Sequence, residues 1–146
     1  MGKVHKIGIS KNKGNNITDV NEVNVVRGMG IENDRFFKKD NNKRSQITLI
    51  ELENIIYYNK LYNENIPAIN FRRNIITEGI KLNELLNTEF FVGEVKLKAH
   101  DLCRPCKYLQ ESLNQKSLVK EFLLKGGLRC EILTSGKISI DDMIKK

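Results

Sequence analysis

Between Phe90 and His100 the chain reads FFVGEVKLKAH, and its second half alternates without a break. Val95, Leu97 and Ala99 fall on one face; Glu94, Lys96 and Lys98 fall on the other. Side chains leave a strand on alternate sides, so this pattern predicts a strand with one packed face and one wet face. Similar short runs recur along the chain. Val4–Ser10 reads as a strand, with Val4, Lys6 and Gly8 opposite His5, Ile7 and Ile9. Val20–Val26, Ser45–Leu49 and Arg73–Thr77 read as further strands. The stretch LRCEILTSGKISIDDMI reads as a strand, a Gly turn and a short terminal strand. Buried parallel strands do not alternate regularly with long helices, so a doubly wound sheet is not expected. The expectation is a mainly β fold, a distorted closed β-barrel with two or three short helices.

The helices show as changes of period. Leu52, Ile55, Ile56 and Asn59 are spaced for one helical face, which predicts a helix over Glu51–Leu61. LNELL suits a short helix or turn. A helix is expected near Lys107–Leu113, and another through Leu124, ended by Gly126 and Gly127. Arg27–Arg44 is long, polar and Gly-punctuated; loops of that length in a small domain are often functional.

A chain of 146 residues suggests one domain, residues 1–146. Lys and Arg number 25 against 18 Asp and Glu, a formal charge of +7, which favours anionic partners without naming one. No basic helix is interleaved with aromatics, so a nucleic-acid partner is not expected. No apolar run is long enough to span a membrane and no secretion segment opens the chain, so a cytoplasmic protein with no membrane partner is expected. Three cysteines, an odd count, argue for free thiols over a disulfide scaffold.

Two of those cysteines stand in HDLCRPCKYL, and three chemistries fit the stretch. Cys103-Arg-Pro-Cys106 has the spacing of a thiol–disulfide exchanger. That motif usually follows an early strand and has a cis-proline downstream; here it comes late, and Pro67 and Pro105 are the only prolines. His100, Cys103, Cys106 and Cys130 are also four acceptable zinc ligands. Against that set, Cys130 sits in an expected strand, where an inward cysteine is ordinary core. The third chemistry is one reactive thiol in a basic setting. Arg104 and Lys107 flank the pair, and nearby positive charge favours the thiolate, which is also a soft ligand for a transition metal.

Taken with its surroundings, the stretch resembles the MOSC domain, found at the C-terminus of molybdenum cofactor sulfurase and in stand-alone bacterial proteins. The resemblance covers nearly the whole chain. GMGIENDRF is similar to the family's Gly-rich turn ending in Gly-Asp-Arg-His. SQITLI resembles the strand that follows it, and RRNIITEGIKLNELL the family's Arg-Arg-Asn-Ile segment. FFVGEVKLKAHDLCRPC resembles the strand that delivers the cysteine, and GGLRCEILTSGKISIDDMI the closing Gly-rich strand. Three positions depart from the pattern. Asn33 replaces a glycine, Phe36 replaces a histidine, and Asp141 stands where the terminal Gly-Asp has its glycine. Asparagine tolerates a left-handed backbone better than most residues, so the first turn is expected to persist.

The resemblance implies a mostly β barrel. It implies that Cys106, the cysteine after the proline, carries a sulfane sulfur or ligates the molybdenum of a pterin cofactor. Binding or delivery of that anionic cofactor is the implied role, with a sulfur-donating desulfurase or a molybdoenzyme as partner. Some stand-alone members help reduce N-hydroxylated compounds beside electron-transfer partners. The family is linked to pyridoxal-phosphate-dependent sulfurases, but no lysine here sits in a Schiff-base setting, so that cofactor is not expected on this chain. Arginine forks match planar oxyanions, which makes Arg35, Arg72, Arg73 and Arg129 candidates for the cofactor, with Arg104 and Lys107 beside the thiol. Arg72 and Arg73 would face opposite ways in a regular strand, favouring Arg73 as the inward one. Asn74 could meet the pterin's amide edges or cap a turn. Asp34 could orient Arg35.

Overall fold

The computed structural model describes residues 2–14, 16–104 and 107–146. Eleven strands are described: β1 (Gly2–Ile9), β2 (Thr18–Val20), β3 (Glu22–Val26), β4 (Gly30–Ile31), β5 (Ile47–Glu51), β6 (Ile75–Glu78), β7 (Glu89–Val92), β8 (Val95–Leu102), β9 (Leu128–Ile132), β10 (Gly136–Ser139) and β11 (Met143–Lys145). The helices are α1 (Leu52–Leu61), α2 (Lys107–Ser112) and α3 (Leu118–Glu121), with 3₁₀ turns at Ala68–Phe71 and Leu82–Leu85.

Seven strands close a barrel. They run β11-β7-β8-β9-β5-β6-β1, and β1 returns to β11 through Gly2↔Ile144 and Lys3↔Met143. Closure removes the exposed strand edges that an open sheet would have to protect. β5 and β6 are the parallel pair, Leu49↔Ile75, and α1 makes the crossover between them. β2 pairs with the far end of β1, and β10, β3 and β4 form a separate three-stranded sheet. The expected mainly β closed barrel with short helices is the observed one.

The barrel wall has two apolar clusters, one on each side. Ile47, Leu49, Ile75, Leu97, Ala99, Leu128 and Cys130 point into the barrel core. Ile50 and Ile76, the next residues along β5 and β6, join Ile55, Tyr58, Phe71, Leu109, Leu118 and Phe122 in a second cluster outside it. That outer layer is held by rings: Phe71 and Phe122 are 5.2 Å apart, Tyr58 and Phe122 5.4 Å. Each large apolar side chain buried there contributes roughly 1.5–3 kcal/mol, which offsets the cost of ordering helices too short to stand alone.

Several expected elements are refined. Phe90–His100 is a hairpin, β7 and β8, turned at Gly93, where φ is +59°. Val95, Leu97 and Ala99 do share the buried face. Val20–Val26 divides at Asn21 into two strands of different sheets. In β1 the register slips between Val4 and Lys6. The extra residue puts Val4 and Ile7, three apart, on the same buried side, which strict alternation cannot do. The C-terminal stretch holds three strands where a strand, turn and terminal strand were expected, and the helix expected through Leu124 ends at Glu121.

Candidate functional site

A pocket of about 300 Å³ lies against the outer face of the barrel wall, beside the helical layer. Six arginines line it: Arg35, Arg44, Arg72, Arg73, Arg104 and Arg129, with Lys13. No aspartate or glutamate is among the described lining residues. Alternation explains its floor. Thr48 and Arg129 are register partners on β5 and β9; their neighbours Ile47, Leu49, Leu128 and Cys130 point into the core, so these two point out.

Arg72 and Arg73 both line the pocket, which corrects the expectation that only one faces inward. They do not belong to a regular strand. The expected strand over Arg73–Thr77 begins two residues later, at Ile75. Arg72 ends the 3₁₀ turn with a left-handed backbone, φ 64° and ψ 28°, so strand alternation does not separate the two side chains. Arg73 is held from behind: Nε donates to the Gly126 carbonyl at 3.0 Å and one terminal nitrogen to the Phe71 carbonyl at 3.3 Å.

Asn74 borders the pocket but is spent on the fold. Its Oδ1 accepts from Thr48 N and Oγ1, at 3.1 and 3.2 Å, and its Nδ2 donates to the Gly8 carbonyl at 3.2 Å. The residue ties β1 to β5 just before β6 starts, which is a turn-and-wall role.

The loop before β5 supplies four of the lining residues, Arg35, Phe36, Arg44 and Ser45, and is ordered by buried polar groups. Asn41 Nδ2 donates to the Phe36 and Met29 carbonyls, at 2.6 and 2.9 Å. Asp34 does orient Arg35: Oδ1 accepts from a terminal nitrogen of Arg35 at 3.0 Å and from Ser10 N at 3.1 Å. Their side chains are 1% and 7% exposed. Burial lowers the Arg35 pKa, and the Asp34 charge opposes that. Arg35 also donates to the Arg72 carbonyl at 3.1 Å, linking this loop to the arginine pair. Asn33 takes φ 71° and Asp141 φ 74°, so both non-glycine substitutes adopt the left-handed backbone that glycine permits.

Cys103 is buried and lines the same pocket. Burial raises its pKa; the charges of Arg73 and Arg129, and a hydrogen bond from Arg73, oppose the rise. Its amide donates to the Gly127 carbonyl at 2.7 Å. A Cβ on Gly126 would collide with the Cys103 carbonyl, so glycine there permits the close approach. Arg104 lines the pocket; Lys107, the first residue of α2, is exposed and not among the described lining residues. Cys106 lies outside the described residues.

Sequence reasoning did not single out Lys13, Arg44 or Thr48 as site residues. All three reach the pocket from separate segments, which no local spacing reveals. The four proposed zinc ligands do not converge as far as they are described. Cys130 points into the barrel core, while Cys103 lines the pocket outside it. His100 Nε2 is 2.7 Å from Glu131 Oε1. Among the described residues no group of three His, Cys, Asp or Glu could hold a metal ion. None of the described helices is long and apolar enough to cross a membrane.

The fold and pocket can be set beside known proteins. The YuaD protein of Bacillus subtilis superposes with a TM-score of 0.81 over 99% of this chain and 94% of its own, at 19% identity. YiiM of Geobacillus stearothermophilus gives 0.80 over 99% and 74%, also at 19%. YiiM of Escherichia coli gives 0.71 over 96% and 68%, at 18%. At such identities the likeness speaks for the fold. No curated protein matches the sequence. The MOSC domain model matches residues 29–145, a span holding the barrel from β5 onward and every arginine of the pocket, and the chain therefore belongs to the MOSC domain family.

Proposed function

We propose that the outer pocket binds the molybdenum–pterin cofactor, and that Cys106 carries sulfur for that cofactor or ligates its metal. Family membership links the chain to molybdenum-cofactor maturation and sulfur handling in general. The observation that carries the finer reading is the convergence of six arginines and a lysine on one pocket, with no carboxylate among its described lining residues. Such a donor set suits a ligand with a phosphate tail and a further oxyanionic group. Arg72, Arg73, Arg129 and Lys13 would hold the anionic parts. Arg35, fixed by Asp34, would add its charge from the wall, and Asn74 would keep the wall in shape. The bound cofactor would supply a metal able to accept a thiolate sulfur.

Cys106 follows Cys103 by three residues and has Arg104 and Lys107 as near neighbours in sequence, charges that favour a thiolate. In sulfur carriage, the Cys106 thiolate takes the outer sulfur of a donor persulfide and releases the donor thiolate. It then hands that sulfur to an acceptor and returns to the thiolate. A desulfurase would be the donor and a molybdoenzyme the destination. In the carrier form no sulfur moves and Cys106 only ligates. A thiol–disulfide exchanger is less well supported, because burial holds the Cys103 thiol up and an exchanger needs a depressed one.

The test is retention after desalting. Protein incubated anaerobically with the cofactor should keep stoichiometric molybdenum and pterin, and Cys106→Ser should lose the molybdenum. Equal retention in the variant would remove the ligand role and leave a pterin site. No molybdenum in either, with zinc present from purification, would overturn the proposal.

A further inference from the structure

Phe36 stands in the pocket wall and is 38% exposed. Two cations lean on its ring. The Arg35 guanidinium carbon lies 4.7 Å from the ring centroid and Lys13 Nζ lies 5.6 Å from it. Both distances are within the range where an aromatic quadrupole attracts a cation. The two cations differ in what they have left to give. Each terminal nitrogen of Arg35 already donates, one to Asp34 and the other to the Arg72 carbonyl. Lys13 is exposed, on the loop between β1 and β2. Its ammonium is a compact charge with rotatable donors.

We propose that Phe36 is a positioning residue of this pocket. Its ring holds the Lys13 ammonium beside the buried Arg35, and the pair forms a lip that takes a dianionic tetrahedral group, a terminal phosphate. This rests on the pocket's being an anion site. A planar monoanion is matched by one arginine fork. Two cations gathered on one ring repel each other, and a dianion relieves that repulsion more than a monoanion does. Lys13 touches the ligand, whereas Phe36 acts through Lys13.

Titration calorimetry of the full chain with inorganic phosphate at pH 8 and fixed ionic strength tests this. Phe36→Leu should weaken binding about two- to five-fold, the span expected for an exposed cation–π contact, and Phe36→Tyr should bind like the parent. Lys13→Gln should lose at least as much as Phe36→Leu, and the double variant should bind no worse than Lys13→Gln alone. Additive losses in the double variant, an unchanged Phe36→Leu, or no phosphate binding by the parent protein would each overturn the proposal. A ligand-free measurement guards against a folding artefact. After reductive ¹³C-methylation, the Lys13 dimethylamine resonance should be shifted upfield by the ring and return in Phe36→Leu; an unshifted parent resonance overturns the contact. Retained cofactor with phosphate binding insensitive to Phe36 defeats the lip alone. Coupled phosphate binding without cofactor retention defeats the cofactor reading and leaves the lip.

Discussion

Cys103 and Cys130 are both buried thiols next to the same barrel wall, yet they occupy two different environments. Cys130 packs among Leu97, Ala99 and Leu128 inside the barrel. Burial raises its pKa well above the ordinary thiol value, and the neighbouring Cys103 adds to the rise. Cys103 sits outside, where Arg73 and Arg129 pull against the same burial. The strand pleat makes the difference. Arg129 and Cys130 are adjacent in β9, so one meets the pocket and the other the core. One wall thus serves as the floor of a charged site and as the lining of an apolar interior. Tight glycine packing, with little space for a side chain, joins the two.

Breaking that seam should have the largest effect. Gly127 has φ +99°, and a Cβ there would run into the Leu49 carbonyl of β5. The same residue's carbonyl receives the Cys103 amide. Gly127→Ala should therefore destabilise the fold by about 2–4 kcal/mol and weaken phosphate binding as well. Urea unfolding read beside calorimetry checks this; an unchanged urea midpoint would show that the two regions do not share the seam.

A smaller effect sharpens the comparison of the two thiols. Both pKa values are raised by folding, so their contribution is complete below the ordinary value of 9.0 and is lost as pH rises through the folded values. Each thiol should then cost up to about 1.4 kcal/mol per pH unit above that point. Replacing Cys130 by alanine should flatten the alkaline decline more than replacing Cys103, because the arginines have already offset part of the Cys103 rise. Equal flattening would mean that the pocket charges do not reach Cys103. Unfolding midpoints measured from about pH 8 to pH 10.5 decide between them.

The barrel was legible because alternation is a local signal. Val95, Leu97 and Ala99 announce their face in five residues, and Leu52, Ile55 and Ile56 announce a helix as directly. The β1 bulge was not, since Val4 and Ile7 look out of phase until Lys6 is seen paired with Ile76. Cys130 was read as core for a sound reason, its place in an alternating strand. The pocket was legible by residue type and not by membership. Arg72 and Arg73 were assigned opposite faces because a strand was assumed to start at Arg73; the left-handed Arg72 and the later start at Ile75 reverse that. Asn74 was read with an undecided role, and its hydrogen bonds to Thr48 and Gly8, both far away in sequence, show what its side chain holds in the fold. Arg44, Thr48 and Lys13 reach the site only through the closure of the barrel and the Asn41-ordered loop.

The most direct test of the account removes one charge from the pocket and leaves every cysteine in the sequence. Arg73→Gln and the parent protein, each incubated anaerobically with molybdenum cofactor and desalted, would be analysed for molybdenum and phosphorus. The account predicts stoichiometric amounts of both on the parent and at least about a tenfold loss in the variant, the scale of one charge-assisted contact, with circular dichroism unchanged. Equal molybdenum and phosphorus on a folded Arg73→Gln protein would contradict it and place the cofactor elsewhere.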